Sequence, residues 1–287
     1  MANIPDYPQA PFDAVMPAAA QEIVLWIAIV ALGGFFIISL IQAARTKSML
    51  PPLFLVAGFV TILLETLVTH MGHAIHPEIG QITIFKAADR AIPWHIVLIY
   101  SFYFGAVYMF MFERIRSGGF TRAFVWKSYF FTCTLAYCIE IVPVQIGLWV
   151  YYDHQALWLW KGGMPLFWTF VNAGCIYMAL TLIKLFYPIL KGWKALLVIP
   201  LSAMGAQMGH FGAGFPYYNA VNSAAPIWLI ELSGLASVGL ALLIAFMCSR
   251  LLAADTASLL ALAPAKDKQL PARDAGAGLP LGAHRGI

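Results

Sequence analysis

Seven stretches of the chain are apolar for about twenty residues each, and the polar residues gather in the gaps between them. The stretches run Glu22–Gln42, Pro52–Met71, Pro93–Phe112, Ala123–Val142, Pro165–Tyr187, Trp193–Ala213 and Ile227–Arg250. At 1.5 Å per helical residue, ~20 residues cross ~30 Å of hydrocarbon, so each stretch predicts a membrane-spanning helix. The expected fold class is an all-α, polytopic membrane protein of seven helices. Residues 1–21 precede the first helix and residues 22–252 form the helical domain. Residues 253–287, built of Ala, Gly, Pro, Leu and scattered charge, read as a disordered tail.

Charge orients this plan. Basic residues fall in alternate gaps, at Arg45 and Lys47, then Arg114, Arg116, Arg122 and Lys127, then Lys184, Lys191 and Lys194; Arg250, Lys266, Lys268, Arg273 and Arg285 follow in the C-terminal segment. Fourteen of the 17 thus share one side, which the positive-inside rule assigns to the cytoplasm, leaving the N-terminus outside. No basic residue precedes the first helix, and that helix is too long for a signal-peptide core, so it is expected to be retained. The expected location is an integral, multi-pass position in a bacterial inner membrane.

Composition agrees, with 61% apolar residues, 10% charged and a mean hydropathy of +0.80, where a soluble globule would carry far more charge. The net charge of +4 then reflects loop topology and contact with membrane lipids, with no nucleic-acid partner. Oligomeric state is left open. Cys133, Cys138, Cys175 and Cys248 lie inside predicted helices without Cys-x-x-Cys spacing, so they read as buried packing residues.

With the N-terminus outside, three glutamates and six of the seven histidines fall at the outer ends of the helices. A charged side chain within a span costs roughly 2.5–3.5 kcal/mol, so Glu65, Glu140 and Glu231 each need a reason. Glu65 shares a helix face with Thr61, Thr69 and Gly72 and is the first candidate for an acid. Glu140 shares its face with Tyr129, Cys133 and Tyr137, and Pro143 frees a nearby carbonyl. Glu231 enters helix 7 beside Trp228 and Gly234. Trp168, Asn172 and Cys175 form a further inward stripe on helix 5. Tyr137, Trp168, Asn172, Trp228, Tyr103 and Trp94 are the candidate substrate-binding residues, within an outer half crowded with aromatics. Most of those aromatics, which include Tyr100, Trp149, Tyr151, Tyr217 and Tyr218, read as an interfacial belt, while those facing inward offer π faces to a cationic ligand or intermediate.

Histidines offer a second chemistry. The segment His70-Met-Gly-His73-Ala-Ile-His76-Pro77-Glu78, with His95 and His210, holds donors suited to zinc, iron or haem. Pro77 disfavours helix at His76, so the imidazoles need not share a face, and a bound cofactor is the alternative to a cofactor-free site. Arg90 and Asp89, with Glu78 nearby, read as a surface ion pair. Gly205-x-x-x-Gly209 predicts close helix packing near His210.

The two outer connections, about Gly72–Ile92 and Pro143–Met164, are expected to fold back as a cap. They follow a faint repeat: Glu65 precedes Ile79-Gly80-Gln81 and Pro93-Trp94, while Glu140 precedes Gln145-Ile146-Gly147, Pro165 and Trp168. Helix 7 has no lysine for a retinal Schiff base, and no Walker, Gly-x-Ser-x-Gly or Asp-x-x-x-Asp pattern is present.

A seven-helix chain of this length with an acid on helix 2 and another on helix 7 resembles the integral-membrane terpene cyclases of meroterpenoid pathways. The resemblance implies that Glu65 and Glu231 protonate a terpenoid and guide its cyclisation without metal or pyrophosphate. Helix 7 carries Glu where that family would carry Asp. The expected function is therefore an enzyme acting on a lipophilic substrate, a terpenoid or related lipid, by acid–base chemistry such as cyclisation or isomerisation in the outer half of the bilayer. The alternatives are a metal or haem redox protein using the histidines, and a proton-coupled transporter using the glutamates.

Overall fold

Apolar runs of this length satisfy their backbone hydrogen bonds internally as helices, and the computed structural model, which describes residues 9–254, is mostly helical. The helices are α1 (Ala18–Thr46), α2 (Leu50–Thr61), α3 (Glu65–Met71), α4 (Trp94–Ser117), α5 (Arg122–Gln145), α6 (Phe167–Phe186), α7 (Val198–Val221) and α8 (Ile227–Ala253). A 3-10 turn at Ile62–Leu64 joins α2 to α3, so Leu50–Met71 is one continuous rod. Among the described residues six helices are long and apolar enough to cross a membrane, as expected of a membrane protein. The exception, α5, is equally long, but Ser128, Tyr129, Thr132, Thr134, Tyr137 and Glu140 lower its apolarity.

The boundaries shift where local chemistry overrides the apolar pattern. Helix α1 begins at Ala18, inside the segment assigned to the N-terminal 21 residues. Helix α7 starts at Val198 after a 3-10 stretch at Gly192–Leu197, and it runs through Pro216 to Val221 because Tyr217 and Tyr218 are buried against the bundle. Residues 1–8 and the tail from 255 onward lie outside the described residues, and the disorder expected of the tail with them.

Two groups of helices pack together. Helices α1, α2 and α4 form one, α5 to α8 the other, and α2 against α7 is the main contact between them. Lipid offers little hydrophobic drive for helix association, so close van der Waals fit has to supply it. A Cβ at Gly205 would sit 2.4 Å from Ala179 Cα and one at Gly209 2.6 Å from Cys175 Cα, so the expected small-residue packing joins α7 to α6. At the far end the buried Lys184 caps α8 by donating to the Leu251 and Leu252 carbonyls. Trp26, Ile27, Val30 and Ile37 of α1 are exposed, which suits a helix at the lipid boundary. Cys138 is exposed on α5, against the expectation of four buried cysteines; the other three are buried and all four are free.

The helical expectation holds for most of the chain, and among the described residues the two long connections add four short strands. Backbone groups leaving a helix over an apolar bundle need partners, and these connections find them in each other. Strand β1 (Ala74–Ile75) pairs antiparallel with β4 (Val150–Tyr151), while β2 (Thr83–Ala87) pairs with β3 (Arg90–Pro93). Ile75 opposes Val150, and each lies ten residues beyond its glutamate, so the repeat in the sequence is also a pairing in space. The segment before α1 joins the same cap through a parallel bridge between Val15 and Ile79, and the Gln21 side chain pairs with the backbone of Gly80 and Ile82.

Candidate active site

Glu65 is placed where the rod changes from 3-10 to α geometry, a break of the kind that often accompanies function. Its side chain is fully buried. The Tyr100 hydroxyl donates to Glu65 Oε2 (2.5 Å), and His76 Nε2 lies 3.0 Å from Glu65 Oε1. His76 Nδ1 meets the Leu148 carbonyl at 3.4 Å. Of the two atoms in the 3.0 Å contact one must donate, so a single proton lies between Glu65 and His76.

Glu65 stands at the wall of a cavity of about 80 Å³, with His76 behind it. Most of the lining is apolar, from Leu64, Val68, Ile96, Ile99, Phe104 and their neighbours. Glu140, Trp149, Trp168, Asn172 and His210 supply polar groups. Asn172 donates to Glu140 Oε1 (2.7 Å), while Glu140 Oε2 has no partner. His210 is buried, stacks on Trp168 at 5.4 Å, and has neither ring nitrogen bonded.

The cap above is a dense polar network. Gln155 donates to the carbonyls of Gly72, His73 and Tyr152 and accepts from the Tyr217 hydroxyl (2.6 Å). Arg90 is buried rather than on the surface: it donates to the Ala74 and Asp89 carbonyls and to the Tyr152 hydroxyl. Glu78 pairs instead with Lys86 (2.7 Å). His73, held at a positive φ of 51° at a backbone cost of ~1–2 kcal/mol, stacks on Tyr152 and sits 3.5 Å from Asp153. Burial pulls the His73 pKa below its ordinary 6.5, against the opposing pull of Asp153. Burial, reinforced by Glu140 and Glu65, pushes the Tyr151 hydroxyl well above 10, so it remains a neutral donor beside the cavity.

The structure therefore brings together Glu65, Glu140, Tyr103, Trp168 and Asn172 from the expected set. Glu231 is not among them. It is half-exposed, 2.7 Å from His154 Nε2, and accepts from the Leu157 amide (2.8 Å), so it pins the loop that holds His154 and Leu157. Trp228 and Trp94, in the first turns of their helices, are exposed at 66% and 40%, which removes both from the site. Tyr137 is half-buried on α5 outside the cavity lining. The histidines diverge: His76 engages Glu65, His73 the cap, His70 is half-buried, His95 is buried in the first turn of α4, and only His210 reaches the cavity with His76's partner. Among the described residues no three His, Cys, Asp or Glu side chains converge as a metal-ligand set. Residues not singled out for substrate contact but lining the cavity are Tyr100, Trp149 and Tyr151, each looking like belt aromatics in the sequence.

Comparisons with protein-family models, curated proteins and solved structures return no match for this chain.

Proposed function

We propose that the protein is a seven-span membrane enzyme, N-terminus outside, that transfers a proton to a lipophilic substrate in the outer-half cavity, with Glu65 as the acid and His76 as its proton partner. Supporting seven spans, β1 precedes α4 and β4 follows α5, and the two strands pair, so α4 leaves the cap and α5 returns to it. The orientation rests on the fourteen basic residues at the opposite ends.

The shared proton between Glu65 and His76 carries the chemical reading. Shielded from water at the wall of an apolar cavity, it is available to a double bond or an oxygen brought against Glu65, while Tyr100 fixes the carboxyl. Glu140 places a second carboxyl group in the same cavity, and the faces of Trp149 and Trp168 suit positive charge developing on the substrate. A terpenoid or related lipid undergoing cyclisation or isomerisation suits such a site, with Glu140 taking the place that the resemblance assigned to Glu231. A transporter would continue the proton path inward, yet the next polar group is Thr61, Ser202 and Tyr108, whose hydroxyls bond to one another.

The test is a comparison of lipid extracts from membranes holding the wild-type protein, the Glu65→Gln variant or neither. A lipid consumed or formed with wild type alone supports the reading; Glu65→Gln extracts matching wild type overturn it. Stoichiometric zinc, iron or haem that disappears with His73→Ala would favour the redox alternative.

A further inference from the structure

The cavity is enclosed on one side and open on the other. Of its lining residues from α3, α6 and α7, Glu65, Val68, Trp168, Cys175 and His210 are buried and Asn172 half-buried. On α4 and α5, Ile96 and Phe104 are buried, but Ile99, Tyr100, Tyr103 and Glu140 keep part of their surface exposed and Ile139 is 41% exposed. Packing explains the direction. Helix α4 is held by α2 and α1, and α5 by α6 and α8, so these two consecutive helices scarcely touch each other. The mouth between them is edged by exposed apolar side chains such as Phe131, Leu135 and Val142, a surface suited to hydrocarbon.

A second observation lies inside. Tyr103 Oη, Glu140 Oε2, Trp149 Nε1, Trp168 Nε1 and both ring nitrogens of His210 are buried without a partner in the protein. A buried polar group left unmet is costly, so a cluster around one cavity calls for an occupant that answers it. Two indole N–H groups and a phenol are donors, and the group that answers them is an oxygen acceptor.

We infer that the site takes its substrate sideways from the bilayer through the gap between α4 and α5, and that this substrate is a long-chain or isoprenoid lipid bearing a hydroxyl or carbonyl oxygen. The inference rests on the membrane-enzyme reading above. The oxygen sits among Trp168, His210 and Tyr103, and the chain trails past Ile99 and Ile139 into the hydrocarbon.

The full-length protein in phosphatidylcholine vesicles, photolabelled with a hexadecanol carrying a mid-chain diazirine, tests this. Labelling of the α6 and α7 peptides around Trp168 and His210 should fall about tenfold with excess oleyl alcohol, the weight of one or two hydrogen bonds, and stay unchanged with octadecene. Ile139→Trp, which fills the mouth, should lower the same labelling while leaving that of the lipid-facing Trp26–Val30 peptide of α1 intact; Ile99→Trp serves if the first variant fails to fold. Octadecene competing as well as the alcohol overturns the oxygen assignment, and undiminished cavity labelling in a folded mouth variant overturns the route. Glu65→Gln should still be labelled, so failure here is distinguishable from failure of the acid assignment, which only lipid turnover reports.

Discussion

In the outer cap Gln155 meets four partners, Arg90 three and Glu231 two, whereas a few residues away in the cavity Tyr103, Trp149, Trp168 and His210 leave polar atoms with none. Both regions draw on tyrosines, histidines and glutamates. In the cap, Gln155, Arg90 and Glu231 hold two loops together. The cavity leaves such polar groups unpaired, at a cost in stability that makes sense if something else is bound there. Glu65 belongs to both: its oxygens are fully engaged by His76 and Tyr100, yet it faces the cavity, which is how an acid is oriented without being buried away from its target.

The largest expected effect separates chemistry from stability. Glu65→Gln should lower lipid turnover by ~10²–10⁴-fold, the usual weight of a positioned acid, while the amide still accepts from Tyr100 and the protein remains folded in detergent. A variant that keeps its turnover would return Glu65 to the cap's structural class. Next, Gln155→Leu should lower stability by roughly 2–3 kcal/mol, because it removes four hydrogen bonds at once, although the His73 carbonyl keeps the Tyr152 amide and the Tyr217 hydroxyl keeps the Gly72 carbonyl. Thermal unfolding measures it; a loss under about 1 kcal/mol would mean that the cap network adds little.

Six of the apolar helices were legible because lipid imposes length on an apolar run. Side-chain rotation about each helix axis was not. Glu140 and Glu231 look alike in the chain, each an acid in an apolar helix, and only the packing of α5 and α8 shows that one faces the cavity and the other the His154–Leu157 loop. His76 was harder still. In the sequence it is one of three closely spaced histidines, a pattern that points to metal, and its tie to Glu65 exists only because the chain turns back at Gly72 and β1 is fixed by β4. The repeat around Glu65 and Glu140 was the available signal, since corresponding positions of a repeat tend to meet.

A smaller effect probes the cap through pH. His73 is held below its ordinary 6.5 chiefly by burial, so below that value the opened cap binds a proton that the closed cap does not. Closure should be at full strength above about pH 6.5 and weaken as pH falls toward the lowered value in the folded protein. Hydrogen exchange at the Ala74–Ile75 and Val150–Tyr151 amides should therefore speed up, relative to its intrinsic pH dependence, between neutral pH and pH 5 or so, and His73→Gln should flatten the change. Exchange that slows on acidification would mean that Asp153 outweighs burial.

The smallest effect gives the sharpest contrast, because it removes the same oxygen atom from both regions. Tyr217 donates its hydroxyl to Gln155 at 2.6 Å, so Tyr217→Phe should cost roughly 1–2 kcal/mol by deleting a bond and leaving Gln155 Oε1 unmet. Tyr103 has no partner for its hydroxyl, so Tyr103→Phe should change stability by no more than about 0.5 kcal/mol and could raise it by sparing a buried group its desolvation. With oleyl alcohol present the order should narrow: wild type gains thermal stability from the added hydrogen bond, and Tyr103→Phe gains less. Equal losses from the two substitutions without ligand would show that Tyr103 already has a partner in the protein, and the contrast between a satisfied cap and an unsatisfied cavity would fail at its most direct point.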